Sequence, residues 1–364
     1  MSHIDSIEAF QVNIPYATPI VSAWGTTDSV EHVFVRVRTD RGEVGVGEAV
    51  ALQAYFDESP AEIARAILAD VAPAIRGISP FDIEPLHRRM DDALPHHPLS
   101  KAAVDMAIHD LCGRILGVPV CDLLGGRCRT RIPLVWVIGL KSVDEAVAEA
   151  EDAVARGFAT LKVKIGADSE RDLEVVRTIR ERLGRGVRLR VDGDQGYTLV
   201  TATRVLKMME RYDLELIEQP VPKWNVDGMT ELASLLDTPI MADETIYTPE
   251  DAVNLIRRRA ADIFSVGILK PAGLLGAKKI AHIAEAGGIP IAVGSLFESG
   301  IGTAAGVHFA ATCPNATLAC ELLGPLLLEG DESCGPFLET ARRGYLELPT
   351  APGLGVDLPR RIGG

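Results

Sequence analysis

The sequence predicts an α/β protein, a modified (β/α)8 barrel of the TIM type carrying an α+β capping domain. Three observations predict it. From residue 132 onward, eight short apolar runs recur at intervals of roughly 25 residues, the length of one strand–helix unit, with helical patterns between them. Before residue 117 the order differs: strand patterns come first and helical patterns follow, as in an α+β unit. At 364 residues the chain is too long for one small core and suits a barrel with an addition. We place the cap at residues 1–125, the barrel at 126–330, and a C-terminal segment returning to the cap at 331–364. A doubly wound sheet is the alternative architecture.

The cap begins with three strand patterns, "IEAFQVNIPY", "HVFVRVRTD" and "VGVGEAV", the last two joined by a turn at Arg41-Gly42. In the middle one Val33, Val35 and Val37 alternate with Phe34, Arg36 and Arg38, as in a half-buried strand. Alanine-rich amphipathic stretches follow, "AEIARAILADVAPAI" and "KAAVDMAIHDLCGRILG", the second stopped by Gly117 and Pro119. The barrel runs are "IPLVWVIG" from 132, "TLKVKIG" from 160, "RLRVDGD" from 188 and "LELIEQP" from 214. Then come "TPIMADET" from 238, "DIFSVGILK" from 262, "IPIAVGS" from 289 and "ATLACELLG" from 316, the last expected to be irregular. Between runs, "VDEAVAEAEDAVARGF" and "EDAVNLIRRRA" are amphipathic helices. The tail, with "TAPGLGVDLP", is expected to pack on the cap.

Composition narrows the function. A net charge of −14 argues against nucleic acid and anionic membrane as partners, since both call for a basic patch. A small anionic substrate stays open, because a bound metal reverses the local field. The six cysteines form no CxxC pair and read as reduced cytosolic thiols. The start "MSHIDSIEAFQVNIPY" has no signal-peptide core, and no run has the length of a membrane span. A cytoplasmic protein is expected.

In such a barrel the active site gathers at the C-terminal strand ends. The last polar residues there are Lys162 and Lys164 on the second strand, Asp192 on the third, Glu218 on the fourth, and Asp243 with Glu244 on the fifth. Glu298 lies just beyond the seventh. Strand alternation puts Lys162 and Lys164 on one face. Any single acid here is ordinarily a helix cap or a loop charge. Three successive strands ending in carboxylates repel one another unless a cation sits among them, and hard oxygen ligands describe a Mg²⁺ or Mn²⁺ site. A metal and a second lysine both lower an amine's pKa, which makes one lysine a usable base. The combination points to proton chemistry on a small carboxylate substrate.

The order "KVK…VDGDQ…IEQP…ADET" resembles the enolase superfamily, specifically its muconate-lactonizing subgroup, over essentially the whole chain. "FESGIGTAAGVHFAATCPNATLACELLGPLLLEGD" is similar to the last two units of muconate cycloisomerases. The resemblance implies that Asp192, Glu218 and Asp243 hold the divalent metal, with Glu244 the second choice to Asp243. It implies that Lys164 is the acid/base on one substrate face, that Lys162 tunes it, and that Glu298 lines the opposite side of the pocket. Substrate selection is expected from two cap segments, residues 17–29 and 50–58. A homo-oligomer is implied by the resemblance alone.

Two positions depart from the family's pattern. Asp194 replaces the usual asparagine two residues after the third-strand aspartate. Relatives end the sixth strand with a motif like Lys-Ile-x-Lys-x-Gly-Gly, whose first lysine is the base on the second face. In register, Gly267 takes that place and Lys270 falls on the second lysine. A continuous strand puts residues three apart on opposite faces, which turns Lys270 away unless a bulge brings it back as a substrate-binding group. With Lys164 as the one strong base, the sequence favours a muconate cycloisomerase-like reaction. A syn-dehydratase of a hydroxy acid or hydroxylated amino acid is the alternative. A racemase or epimerase loses ground, and a metal-binding homologue without catalysis is the reading from a different class.

Overall fold

Strand propensity in the first fifty residues becomes a three-stranded antiparallel sheet of β1 (Ile4–Ser22), β2 (Gly25–Thr39) and β3 (Val44–Ala51), in that order. This computed structural model describes residues 2–22, 25–52, 56, 58–359 and 362. The expected half-burial of β2 holds only at its far end. Val33, Val35 and Val37 are buried, but so are His32 and Phe34; of the three alternating partners only Arg36 and Arg38 reach outward. The reason is what covers the second face. Phe34 pairs across the sheet with Glu48, and the Glu48 carboxylate accepts the Gly302 N–H at 2.7 Å on the barrel helix Gly300–Ala311. That face meets the barrel instead of water.

"AEIARAILADVAPAI" forms helix, opened by a capping box between Ser59 and Glu62, but its middle is wider than α. The segments are Pro60–Ala66, a π-type turn Ile67–Val71, and Ala72–Ile75. Pro73 has no N–H to give, and the Ala72 N–H reaches back five residues to the Ile67 carbonyl. The helix Pro98–Leu116 ends at Gly117, whose φ of 71° suits glycine. It is not amphipathic as expected: every residue from Leu99 to Gly113 is buried. On one side lies β3, where a Cβ at Gly47 would run into the Ala103 carbonyl. On another lies the barrel helix Leu274–Ala286.

The barrel contains β4 (Arg131–Pro133) at its base, then β5 (Val135–Ile138), β6 (Thr160–Lys164), β7 (Arg188–Asp192), β8 (Leu214–Glu218), β9 (Ile240–Ala242), β10 (Ile263–Ser265) and β11 (Ile291–Ala292). Strands β5 to β11 run parallel in chain order as one curled sheet. The eighth run is not a regular strand, yet it closes the ring. Cys320 accepts from the Val135 N–H at 3.0 Å and donates to Pro133 at 2.8 Å, while the Glu321 N–H donates to Val293 at 2.8 Å. Leu216, Met241, Ile263 and Ala292 fill the floor of the ring. The tail adds β12 (Tyr345–Glu347) antiparallel to β4. Beyond it the Leu354 N–H bonds to Asp110, and the Arg114 guanidinium bonds to the Val356 carbonyl, both at 2.7 Å, on the cap's long helix. All six cysteines are free thiols. Among the described residues, no helix is long and apolar enough to cross a membrane.

Candidate active site

Parallel register sets the strand ends side by side. Lys164 pairs with Asp192, Asp192 with Glu218, and Glu218 with Met241, two residues before Asp243. The alternate residues Lys162, Arg190, Glu218, Met241, Ser265 and Glu321 face one interior space. Lys162 Nζ lies 2.9 Å from Asp192 Oδ2 and 3.0 Å from Glu218 Oε2, and also pairs with Glu321. Lys164 Nζ is 2.8 Å from the same Asp192 oxygen and 3.8 Å from Asp194 Oδ2. Lysine side chains thus thread a crown of carboxylates.

Backbone turns hold that crown. The Gly193 N–H donates to Glu218 at 2.9 Å and the Gln219 N–H to Met241 at 3.0 Å. Gln219 then ties the fifth-strand end: its Oε1 accepts from the Asp243 N–H at 3.1 Å and from the Thr245 hydroxyl at 2.9 Å. Asp194, Gln195 and Gln219 all have positive φ, at 46°, 66° and 30°. Such backbone costs free energy in non-glycine residues and is concentrated at functional sites.

The charges are not balanced by the lysines alone. Burial would push the Lys162 ammonium down, but Asp192, Glu218 and Glu321 outweigh it and hold it well above its ordinary value. The second lysine, Lys164, pulls it down as expected, but the carboxylates crowd this ammonium and outweigh it. Burial, then Asp192, pushes the Glu218 carboxyl up to about 8. Glu244 is pushed well above its usual range by burial and by Asp243, Asp192 and Asp194. Its Oε2 is buried with no hydrogen-bond partner.

Lys270 does not lie on a continuous strand. β10 ends at Ser265, and Lys270 sits in the turn that follows, so strand parity does not apply to it. Its ammonium pairs with the Asp243 carboxylate and bonds to the Asp243 carbonyl at 2.8 Å. Gly267 keeps the strand's direction: Ser265 faces the interior, Val266 still donates to Ala292 at 2.9 Å, and Gly267 follows two residues on. In the closed ring β10 is diametrically opposite β6. Gly267 therefore lies just beyond the strand that stands opposite the one ending in Lys164.

Glu298 is buried beyond β11, where its carboxylate bonds to the Ser295 hydroxyl and accepts the Leu296 N–H at 2.8 Å. Burial pushes it up to about 7 from an ordinary 4.5. Between those values the folded chain holds a proton that the unfolded chain releases. The stability from this group is full below pH 4.5 and lost as pH rises through 7. Glu298→Gln is therefore expected to gain on wild type across that range, by up to about 3 kcal/mol. Urea melts at pH 5 and pH 8 check this, and a pH-independent difference would contradict it.

Sequence reasoning missed four contributors. Glu321 and Arg190 enter the interior from runs read only as strands; the eighth run's register would have flagged Glu321. Gln219, inside "IEQP", had no role assigned. Tyr247 follows "ADET" and packs edge-on against Phe56 at 5.7 Å, which brings the cap segment 50–58 to the Asp243 side. Residues 53–55 and 57 of that segment lie outside the described residues. So do residues 23 and 24 of the segment 17–29, the rest of which is not a loop but the tip of the β1–β2 hairpin.

A divalent cation fits this donor set. As placed, no three acidic, histidine or cysteine side chains among the described residues converge on one point, because lysine ammoniums stand between them. The raised Glu218 and Glu244 carboxyls and the orphaned Glu244 oxygen nevertheless call for more positive charge than the lysines supply. Asp192, Glu218 and Asp243 offer hard oxygens from adjacent rigid strands.

A closed parallel barrel with a carboxylate crown and an interior lysine pair, capped by an α+β unit, defines a class of barrel enzymes. Residues 145–362 match the family described as enolase C-terminal domain-like, and residues 5–125 match the mandelate racemase/muconate lactonizing enzyme N-terminal domain. The chain belongs to the enolase superfamily, in its muconate lactonizing enzyme-like branch. It is 35% identical to the L-Ala-D/L-Glu epimerase of Bacillus subtilis, over 96% of this chain and 95% of that one. It is 34% identical to a chloromuconate cycloisomerase of Delftia acidovorans, over 98% and 96%. The muconate lactonizing enzyme of Pseudomonas fluorescens, solved with muconolactone, superposes with a TM-score of 0.92 at 34% identity, covering 99% of this chain and 98% of that one. A dipeptide epimerase of Enterococcus faecalis, solved with Mg and a dipeptide, gives 0.92 at 31% identity, covering 98% and 99%. The relatives thus include both cycloisomerases and epimerases.

Proposed function

We propose that the protein is a Mg²⁺-dependent enzyme that runs one-base chemistry on the α-carbon of a small carboxylate, most simply a muconate cycloisomerase-like lactonization. This reading is supported by Lys164 ending β6 while a glycine, with no side chain to act as a base, stands at 267 just beyond the opposite strand β10. Asp192, Glu218 and Asp243 would hold the metal. When bound, it supplies positive charge that neutralises the substrate carboxylate and stabilises charge developing there. Mg²⁺ is supported by the Mg-containing dipeptide epimerase as a structural neighbour.

Lys164 is the group placed to move the proton. Its side chain is 19% exposed at the mouth, whereas Lys162 is 2% exposed beneath the carboxylates. In lactonization, the remote carboxylate oxygen of an unsaturated dicarboxylate adds across the conjugated double bond. The resulting carbanion, delocalised onto the near carboxylate, then takes a proton from Lys164. In reverse Lys164 removes it. The same lysine serves a syn-dehydration, taking the α-proton and returning one to the departing β-hydroxyl, which leaves as water. Lys162 keeps its proton and offsets the crown's negative charge. Epimerisation asks for a second acid/base on the opposite face, which Gly267 does not provide.

Incubating candidate acids with protein and Mg²⁺ in D₂O tests the reading: Mg²⁺-dependent deuterium uptake or lactone formation supports it. Failure of every carboxylate to bind or exchange would favour a metal-binding homologue without catalysis. Gly267→Lys is expected to fold normally, since a Cβ there meets only the Gly294 carbonyl oxygen at 3.4 Å, an ordinary contact. It is expected to add exchange on the second face, seen as new epimer by chiral chromatography.

A further inference from the structure

Outside the site, the cap's long helix Pro98–Leu116 carries a buried acid that reaches the barrel. Asp105 is 1% exposed. Its Oδ1 lies 2.6 Å from His87 Nε2, and its Oδ2 lies 3.4 Å from His109 Nδ1. Burial would raise this carboxyl, but the two histidines hold it well below the usual range, so it stays a carboxylate. The same Oδ2 accepts the N–H of Leu274, the first residue of the barrel helix Leu274–Ala286. A first-turn N–H has no partner within its own helix, so a cap residue completes a barrel helix.

The segment before that helix is wound tightly. Ala272 has φ 60° and Gly273 φ 117°. Their N–H groups turn back to Leu269 at 3.3 Å and Ile268 at 2.9 Å. A Cβ at Gly273 would run into the Asp105 carboxylate, so the turn lies directly against it. An alanine in the left-handed region persists only where its surroundings over-determine it. The far end of the turn is fixed by Asp105. At its near end, Lys270 is 7% exposed and bonds to Asp243 and to the Ser265 carbonyl.

We propose that Asp105 is a positioning residue: by anchoring the turn 268–274 from the cap, it holds Lys270 against Asp243 and couples the cap to the active-site mouth. The coupling runs through backbone. If the Leu274 N–H loses its carboxylate partner, the cap's hold against relaxation of the left-handed Ala272 is lost, and the lysine three residues from Gly273 moves with the turn. The proposal goes beyond the reaction reading and gives Lys270 and Asp243 no chemical step.

Reductive methylation with formaldehyde and a borohydride, followed by peptide mass spectrometry, reads Lys270 without metal or substrate. Failure of the reaction reading therefore leaves this test intact. In wild type, Lys270 and Lys162 are both expected to be protected. In Asp105→Ala, which leaves the Leu274 N–H without its acceptor, Lys270 labelling is expected to rise about tenfold, as for loss of one hydrogen bond to a charged group, with Lys162 unchanged. Should that variant not fold, His87→Leu removes one support of the carboxylate and is expected to give a smaller rise confined to Lys270. An unchanged Lys270 rate in whichever variant folds, or a parallel rise at Lys162, would overturn the proposal.

Discussion

Lys164→Ala is expected to lose Mg²⁺-dependent α-proton exchange by about 10² to 10⁴, the usual contribution of a positioned acid/base. Lys270→Ala is expected to keep most of that exchange. The difference rests on position. Lys164 ends β6 at the mouth, beside Asp192 and Asp194. Lys270 is turned back onto the carboxylate and carbonyl of Asp243. Solvent deuterium incorporation followed by mass spectrometry compares the two. If Lys270→Ala abolishes exchange while Lys164→Ala does not, the base lies on the sixth unit and the proposed reaction fails.

Asp192→Asn is expected to weaken Mn²⁺ binding by about 100-fold or more, since even residues behind a metal's ligands commonly cost 10- to 100-fold. Asp192 carries this weight because one of its oxygens serves both lysines, at 2.9 Å and 2.8 Å. Neutralising it removes a hard oxygen donor and leaves two ammoniums less compensated beside the incoming cation. Titration of Mn²⁺ by electron paramagnetic resonance measures the change. The same titration on Asp243→Asn and Glu244→Gln ranks the fifth-strand acids, with the larger loss expected at Asp243. Binding unchanged in Asp192→Asn would place the cation elsewhere.

Much of the site could be read before folding because parallel barrels convert sequence order into spatial order. The last polar residue of each run lands at the same end of the ring. Lys162, Lys164, Asp192 and Glu218 meet there because strand alternation and register leave no other place for them. What could not be read depends on contacts between distant segments. Phe34 looked half-exposed because nothing in its own strand reveals that the barrel covers its face. The helix Pro98–Leu116 looked amphipathic because neighbours on several sides are invisible to periodicity. Lys270 was assigned by strand parity, and β10 stops five residues before it. The upward hold on Lys162 comes first from Asp192 and Glu218, and Glu321, which no strand pattern singled out, adds to it.

The most direct test of one-base chemistry is the configuration of a substrate acid after exchange in D₂O with Mg²⁺. The account predicts deuterium at the α-carbon with configuration retained and no epimer, because Lys164 delivers and removes the proton on one face only. Accumulation of the opposite epimer at a rate comparable to exchange would contradict it, since a second acid/base would then be acting from the Gly267 side.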